Sequence, residues 1–239
     1  MTQASRTEQD LSWRGMIRVG AAGAMLVLLL IPAQAAVFLL NPPPATAAEF
    51  FRLFQENPWL GLLSLDLLLT LDYLALVPFY LALYAVIRAA SGAWALLGLI
   101  LGLGSVLLFI VSREATFSMW MLSSQFADAA SDQERGLLLA AGTGMLTLYN
   151  GGTFAISYLL GAAGTLVYSV TMLRHRIYGR LPAAVGILTG ATMLVPANAG
   201  SAGLILAMLS LIPTALWLIL LIPQLLGTAR DAGRSRTRG

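Results

Sequence analysis

Long apolar runs, separated by short polar or proline-rich breaks, set the pattern of this chain. Residues 60–87, LGLLSLDLLLTLDYLALVPFYLALYAVI, are apolar almost throughout and carry two carboxylates, Asp66 and Asp72, and one proline, Pro78. Crossing a hydrocarbon core of ~30 Å takes roughly 20 helical residues at ~1.5 Å each, so this run predicts a transmembrane helix. The same criterion predicts spans at about 16–40, 94–111, 151–173, 181–196 and 204–226. The expected fold is all-α: a polytopic helical membrane protein with about six transmembrane helices plus short interfacial helices. One six-helix domain over 16–226 is flanked by tail 1–15 and by a basic tail, 227–239, of which 230–239 is expected to be disordered.

The breaks carry their own signals. Asn41-Pro42-Pro43-Pro44 cannot continue a helix, because proline lacks the amide donor. Thr46 with Glu49 then reads as a capping box, opening a short helix that places Phe50, Leu53 and Phe54 on one side, as a helix lying in the outer interface would. Ser131 with Glu134 is a second capping box. The apolar stretch 136–173 is too long for one span, and Asn150-Gly151-Gly152 is its expected interruption, leaving 136–149 as a re-entrant piece or an outer helix extension. Phe117, Trp120 and Met121 suggest another interfacial segment. Gly98 with Gly102, and Gly186 with Gly190, have the small-xxx-small spacing that lets helices approach closely. Ala33-Gln34-Ala35 resembles a signal-peptide cleavage site, but the apolar run continues past it, which favours a retained signal-anchor.

Charge sets the orientation. All fourteen basic residues are arginine. With a cytoplasmic N-terminus, eleven fall inside and only Arg52, Arg113 and Arg135 outside, a strong positive-inside bias. The expected location is the bacterial cytoplasmic (inner) membrane, multi-pass, with both termini cytoplasmic. A content of 58% hydrophobic and 10% charged residues points away from a soluble domain. With no continuous basic footprint, nucleic acid is excluded as a partner. The chain has no cysteine, which removes thiol catalysis and thiolate metal sites, and without lysine no Schiff base can form.

Candidate chemistry concentrates on the 60–87 helix. An aspartate there costs ~2.5–3.5 kcal/mol on insertion scales and faces protein or water. As one continuous helix, the run aligns Asp66, Thr70, Tyr73, Val77, Tyr80 and Tyr84 in a stripe, while Asp72 lies about 120° away from Asp66. The span 151–173 offers a matching face beginning at Asn150 and Thr153, either of which can satisfy Asp66. Asp66, Asp72, Thr70, Tyr73, Asn150 and Thr153 are the ligand or ion candidates, and interhelical hydrogen bonding is the plainer role for the same groups. On this reading Asp72 suits proton exchange and Asp66 ligand contact. Arg174, Arg176 and Arg180 report topology and are candidates for anionic lipid. His175 stands alone, so no metal site is expected, and no cofactor or catalytic residue is predicted.

NPWLGLLSLDLLLTLDYLALVPFYLALYAVIR, FSMWMLSSQFADAASDQERGLLLAAG and FAISYLLGAAGTLVYSVTMLR together resemble a group of uncharacterised bacterial multi-span membrane proteins carried as a domain of unknown function. The resemblance implies the architecture and leaves activity open. The leading expectation is a non-enzymatic structural, accessory or small binding module. Alternatives are a small transporter or proton- or ion-coupled protein using Asp66 and Asp72, and a lipid-modifying enzyme. Expected partners are the lipid bilayer and possible fellow subunits, either other membrane proteins or further copies of the chain.

Overall fold

A computed structural model describes residues 3–234, with side chains placed over 13–231. Its helices are α1 (Gln3–Leu40), α2 (Ala47–Glu56), α3 (Pro58–Ser64), α4 (Leu67–Ile87), α5 (Gly92–Ser112), α6 (Glu114–Asp128), α7 (Asp132–Tyr149), α8 (Gly152–His175), α9 (Arg180–Thr192) and α10 (Gly200–Arg234). No strand occurs among the described residues. Five stretches are long and apolar enough to cross a membrane: Trp13–Leu40, Leu67–Ile87, Gly92–Asp128, Asp132–His175 and Gly200–Asp231.

Small residues set the helix pairing. Gly20 lies against Pro78 and Ala82, and Gly23 against Ala75, so α1 and α4 run antiparallel at close range. Gly98 faces the Tyr168 ring, while Gly164 faces the backbone of Gly98 and Gly102, which makes α5 and α8 antiparallel too. Tyr80 covers Gly102 and Tyr73 stacks on Phe109, joining α4 to α5. Ile17, Ala21, Ala24 and Val27 of α1 belong to the same buried core as Phe79, Leu83, Tyr168, Trp217 and Leu221. Gln34, in the stretch that resembles a cleavage site, donates from Nε2 to the Leu63 carbonyl at 3.1 Å.

The passage expected at 181–196 takes an unexpected form. Helix α9 has only 13 residues. It starts beside the C-terminal end of α8, yet Asn198 Nδ2 donates to the carbonyls of Asn150 at 2.7 Å and Gly151 at 3.2 Å, beyond the opposite end of α8. Residues 180–198 therefore run the full length of α8, about 36 Å for its 24 residues. The helix covers about 20 Å of that, and irregular chain after Thr192 covers the rest.

Three further differences concern helix ends. The run 60–87 is two helices, broken at Leu65 and Asp66. Helix α1 begins as early as Gln3, and α10 continues past 226 to Arg234, so that 230–234 is helix where disorder is expected; Ala229 is buried and Tyr178 shares a 2.7 Å hydrogen bond with Thr228. Residues 235–239 of the basic tail, and residues 1 and 2, lie outside the described residues.

Helices α2, α3, α6 and α7 form a cap on the bundle end opposite the start of α1 and the end of α10. The cap has its own core of Phe50, Phe51, Phe54, Leu62, Leu65 and Met119. Helix α2 thus packs beneath α6 and α7 instead of lying alone in the interface. Ser123 Oγ donates to the Phe51 carbonyl at 2.7 Å and Gln55 Nε2 to the Ser123 carbonyl at 3.3 Å, tying α2 to α6. Both capping boxes supply helix starts: Thr46 Oγ1 accepts from Glu49 N, and Ser131 Oγ from Glu134 N.

Candidate functional site

Asp66 occupies the joint between cap and bundle. Its backbone is left-handed, with φ 62° and ψ 33°, a region that Asp enters more readily than most side chains. The break frees the Leu65 carbonyl, which accepts from Thr116 Oγ1 at 2.7 Å. The Asp66 carbonyl starts α4 by accepting from Thr70 N and Oγ1. Its carboxylate does not cap the helix and turns instead to Arg113, with Nη1 to Oδ2 at 3.2 Å. Tyr149 OH donates to the same oxygen. Arg113 is itself buried in an aromatic box, its guanidinium carbon 3.8 Å from the Tyr149 ring centre, 4.6 Å from Phe109 and 4.8 Å from Phe154. Cation–π attraction of this kind strengthens as water is removed.

The partner expected for Asp66 was Asn150 or Thr153, and the structure supplies Arg113 and Tyr149 in their place. Asn150 is exposed and uses its carbonyl to hold Asn198, while Thr153 is half-buried. The reason is the break at Leu65 and Asp66, which takes Asp66 off the α4 stripe and turns it towards the α5–α6 junction. A sequence signal for Arg113 does exist: it is the arginine of the cap side that directly follows an apolar span, where a buried carboxylate can reach it.

Asp72 sits one layer deeper. It is 5% exposed, its Oδ1 has no hydrogen-bond partner, and it lines a cavity of about 210 Å³ inside the bundle. Tyr73, Tyr80, Tyr158 and Thr165 line the wall along with the aromatic residues Phe79, Phe109, Phe154 and Trp217. Tyr158 shares a long hydrogen bond, 3.4 Å, with Ser210, which already donates to the Ala207 carbonyl. Phe109 and Phe154 also touch Arg113, so two rings separate the ion pair from the cavity. The two acids thus stand in different surroundings: Asp66 is engaged by Arg113 and Tyr149, and Asp72 is the carboxylate open to a cavity. Of the stripe, Tyr73 and Tyr80 reach this cavity and Thr70 does not line it.

Arg174, Arg176 and Arg180 are exposed at the opposite end. Arg174 and His175 border a shallow cleft of about 240 Å³ with Trp94, Leu166, Val167, Val170 and Thr171. Arg176 instead terminates α8 in a left-handed conformation, φ 54°. Among the described residues no group of three or more His, Cys, Asp or Glu is placed to hold a metal ion.

Leu29, Ile100, Leu107, Leu204, Ile205 and Ile212 give the bundle an apolar outer face, with Trp94 exposed near one end and Trp59 and Trp120 near the other. Such a surface around a helical bundle defines an integral membrane protein. The chain belongs to the family described as Domain of unknown function (DUF4386), which matches it over residues 21–227. No curated protein and no solved structure matches it.

Proposed function

We propose that the chain is a non-enzymatic binding module of the bacterial inner membrane that holds a small, mostly apolar molecule against Asp72. The observation that carries this reading is the unpartnered, buried Asp72 carboxylate on the wall of a cavity lined by aromatic rings and hydroxyls. A buried polar group without a partner is costly, and a carboxylate more so, which a ligand donor in the cavity would offset. Binding pockets are characteristically apolar with few placed polar groups, which fits this wall. Ion coupling, the second reading, also rests on Asp72 alone, since Asp66 is engaged by Arg113 and Tyr149.

Two experiments test the proposal. Protein purified without added ligand is extracted with solvent, and the extract is compared by mass spectrometry with that of Asp72→Leu. A species enriched with the native chain and lost from the variant supports the reading, and identical extracts count against it. For orientation, the cysteine-free sequence permits single-cysteine labelling. Gln133→Cys in the cap should react with an impermeant maleimide on intact cells, and Arg176→Cys only after lysis. The reverse pattern would invert the proposed topology.

A further inference from the structure

We infer that the cavity at Asp72 is selective for a small organic cation, an ammonium carried on a compact apolar body. This deepens the binding-module reading and rests on it. The buried guanidinium of Arg113 is paired with Asp66 and lies against Phe109 and Phe154, and Asp72 has no ion-pair partner among the described residues. The cavity wall therefore carries one carboxylate and no basic side chain. Phe79, Phe154 and Trp217 line the same space with aromatic rings, while Phe109 lines it with its faces taken by Tyr73 and Arg113. A carboxylate beside several rings is the combination that recognises a substituted ammonium, by charge and by cation–π attraction, and it needs no N–H on the ligand. Both contributions gain from the scarcity of water in an apolar surround.

Size narrows the class. An apolar cavity of ~150 Å³ accommodates benzene, so about 210 Å³ takes one ring or its aliphatic equivalent with a short charged arm. Drug-sized pockets run to ~300–1,000 Å³, which places bulkier ligands beyond this space.

The test uses a matched pair on the full chain in nanodiscs. Benzyltrimethylammonium is permanently charged and has no N–H; neopentylbenzene has nearly the same shape and no charge. Binding is measured for each, with empty nanodiscs subtracted. The expected result is at least tenfold tighter binding of the cation to the native chain, and loss of that preference in Asp72→Asn. The native-chain comparison stands even if the variant fails to fold. Equal affinities in the native chain, or a preference that survives Asp72→Asn, overturn the cation assignment and leave the binding module standing. Binding of neither probe overturns the cation assignment, while the extraction comparison above separately decides the module reading.

Discussion

Replacing Arg113 by methionine keeps an unbranched stem inside the aromatic box and removes the charge that Asp66 faces. Asp66 and Arg113 side chains are 9% and 3% exposed, so the carboxylate would remain buried with only the Tyr149 hydroxyl to stabilise it. Breaking a buried pair from one side costs about 3–5 kcal/mol. Asp66→Asn breaks it from the other side, but three aromatic faces still hold the stranded guanidinium, an environment worth ~2 kcal/mol or more when desolvated. Arg113→Met should therefore be the more damaging single change. Asparagine also tolerates the left-handed backbone at position 66 and can still accept from Tyr149. The double variant, Asp66→Asn with Arg113→Met, leaves no buried charge and should recover to within about 1–2 kcal/mol of the native chain, as replaced ion pairs often do. The coupling between the sites is then at least ~2 kcal/mol. Reversible unfolding in mixed micelles, read on all four proteins, gives the cycle. If the single losses add in the double variant, or if Asp66→Asn is the worse single, the account of the joint is wrong.

Other outcomes follow from the packing. Tyr149→Phe removes a hydrogen bond to a carboxylate and should cost about 1.5–3 kcal/mol, less than Arg113→Met in the same assay. A Cβ at Gly102 would meet the Tyr80 ring at 2.7 Å, so Gly102→Ala should destabilise by about 1–3 kcal/mol by overpacking, measurable as a lower unfolding midpoint. Glu49 receives hydrogen bonds from the Ala45 and Thr46 amides, which hold its carboxyl below the ordinary 4.5. Because the folded form is the more acidic, its contribution is present above the unfolded value and lost as pH falls through the depressed one. Hydrogen exchange at the start of α2, corrected for intrinsic rates, should accelerate on acidification below 4.5 in the native chain and show a smaller acid-dependent change in Glu49→Gln.

Hydropathy made the bundle legible because apolar residues must face lipid or core over a fixed length, and Gly98, Gly102, Gly186 and Gly190 marked helix contacts by the same logic of close approach. The break at Asp66 left no such mark. Leu60–Ser64 and Leu67–Thr70 read as one run, with no proline between, and what breaks it is tertiary: Arg113, Tyr149 and Thr116 together favour a conformation that local propensity would not select. With the break hidden, the sequence aligns Asp66 in one stripe with Tyr73 and Tyr80, a register that the left-handed backbone at Asp66 does not keep. The cap was also obscured. Apolar faces on α2, α6 and α7 fit lipid and one another equally well in sequence, and only their mutual packing around Phe51 and Met119 decides between them.

Helix α9 gives the cavity a meaning apart from any ligand. Backbone that leaves the helical ladder within a bilayer is tolerated only where protein or a cavity shelters it. Met193 and Ala197, in the irregular chain that completes this passage, are themselves part of the cavity wall. Pro196 adds no amide donor there and offers its carbonyl to Ala199. The short helix and the chain beyond its end thus supply one stretch of the cavity wall, through Thr189, Met193 and Ala197.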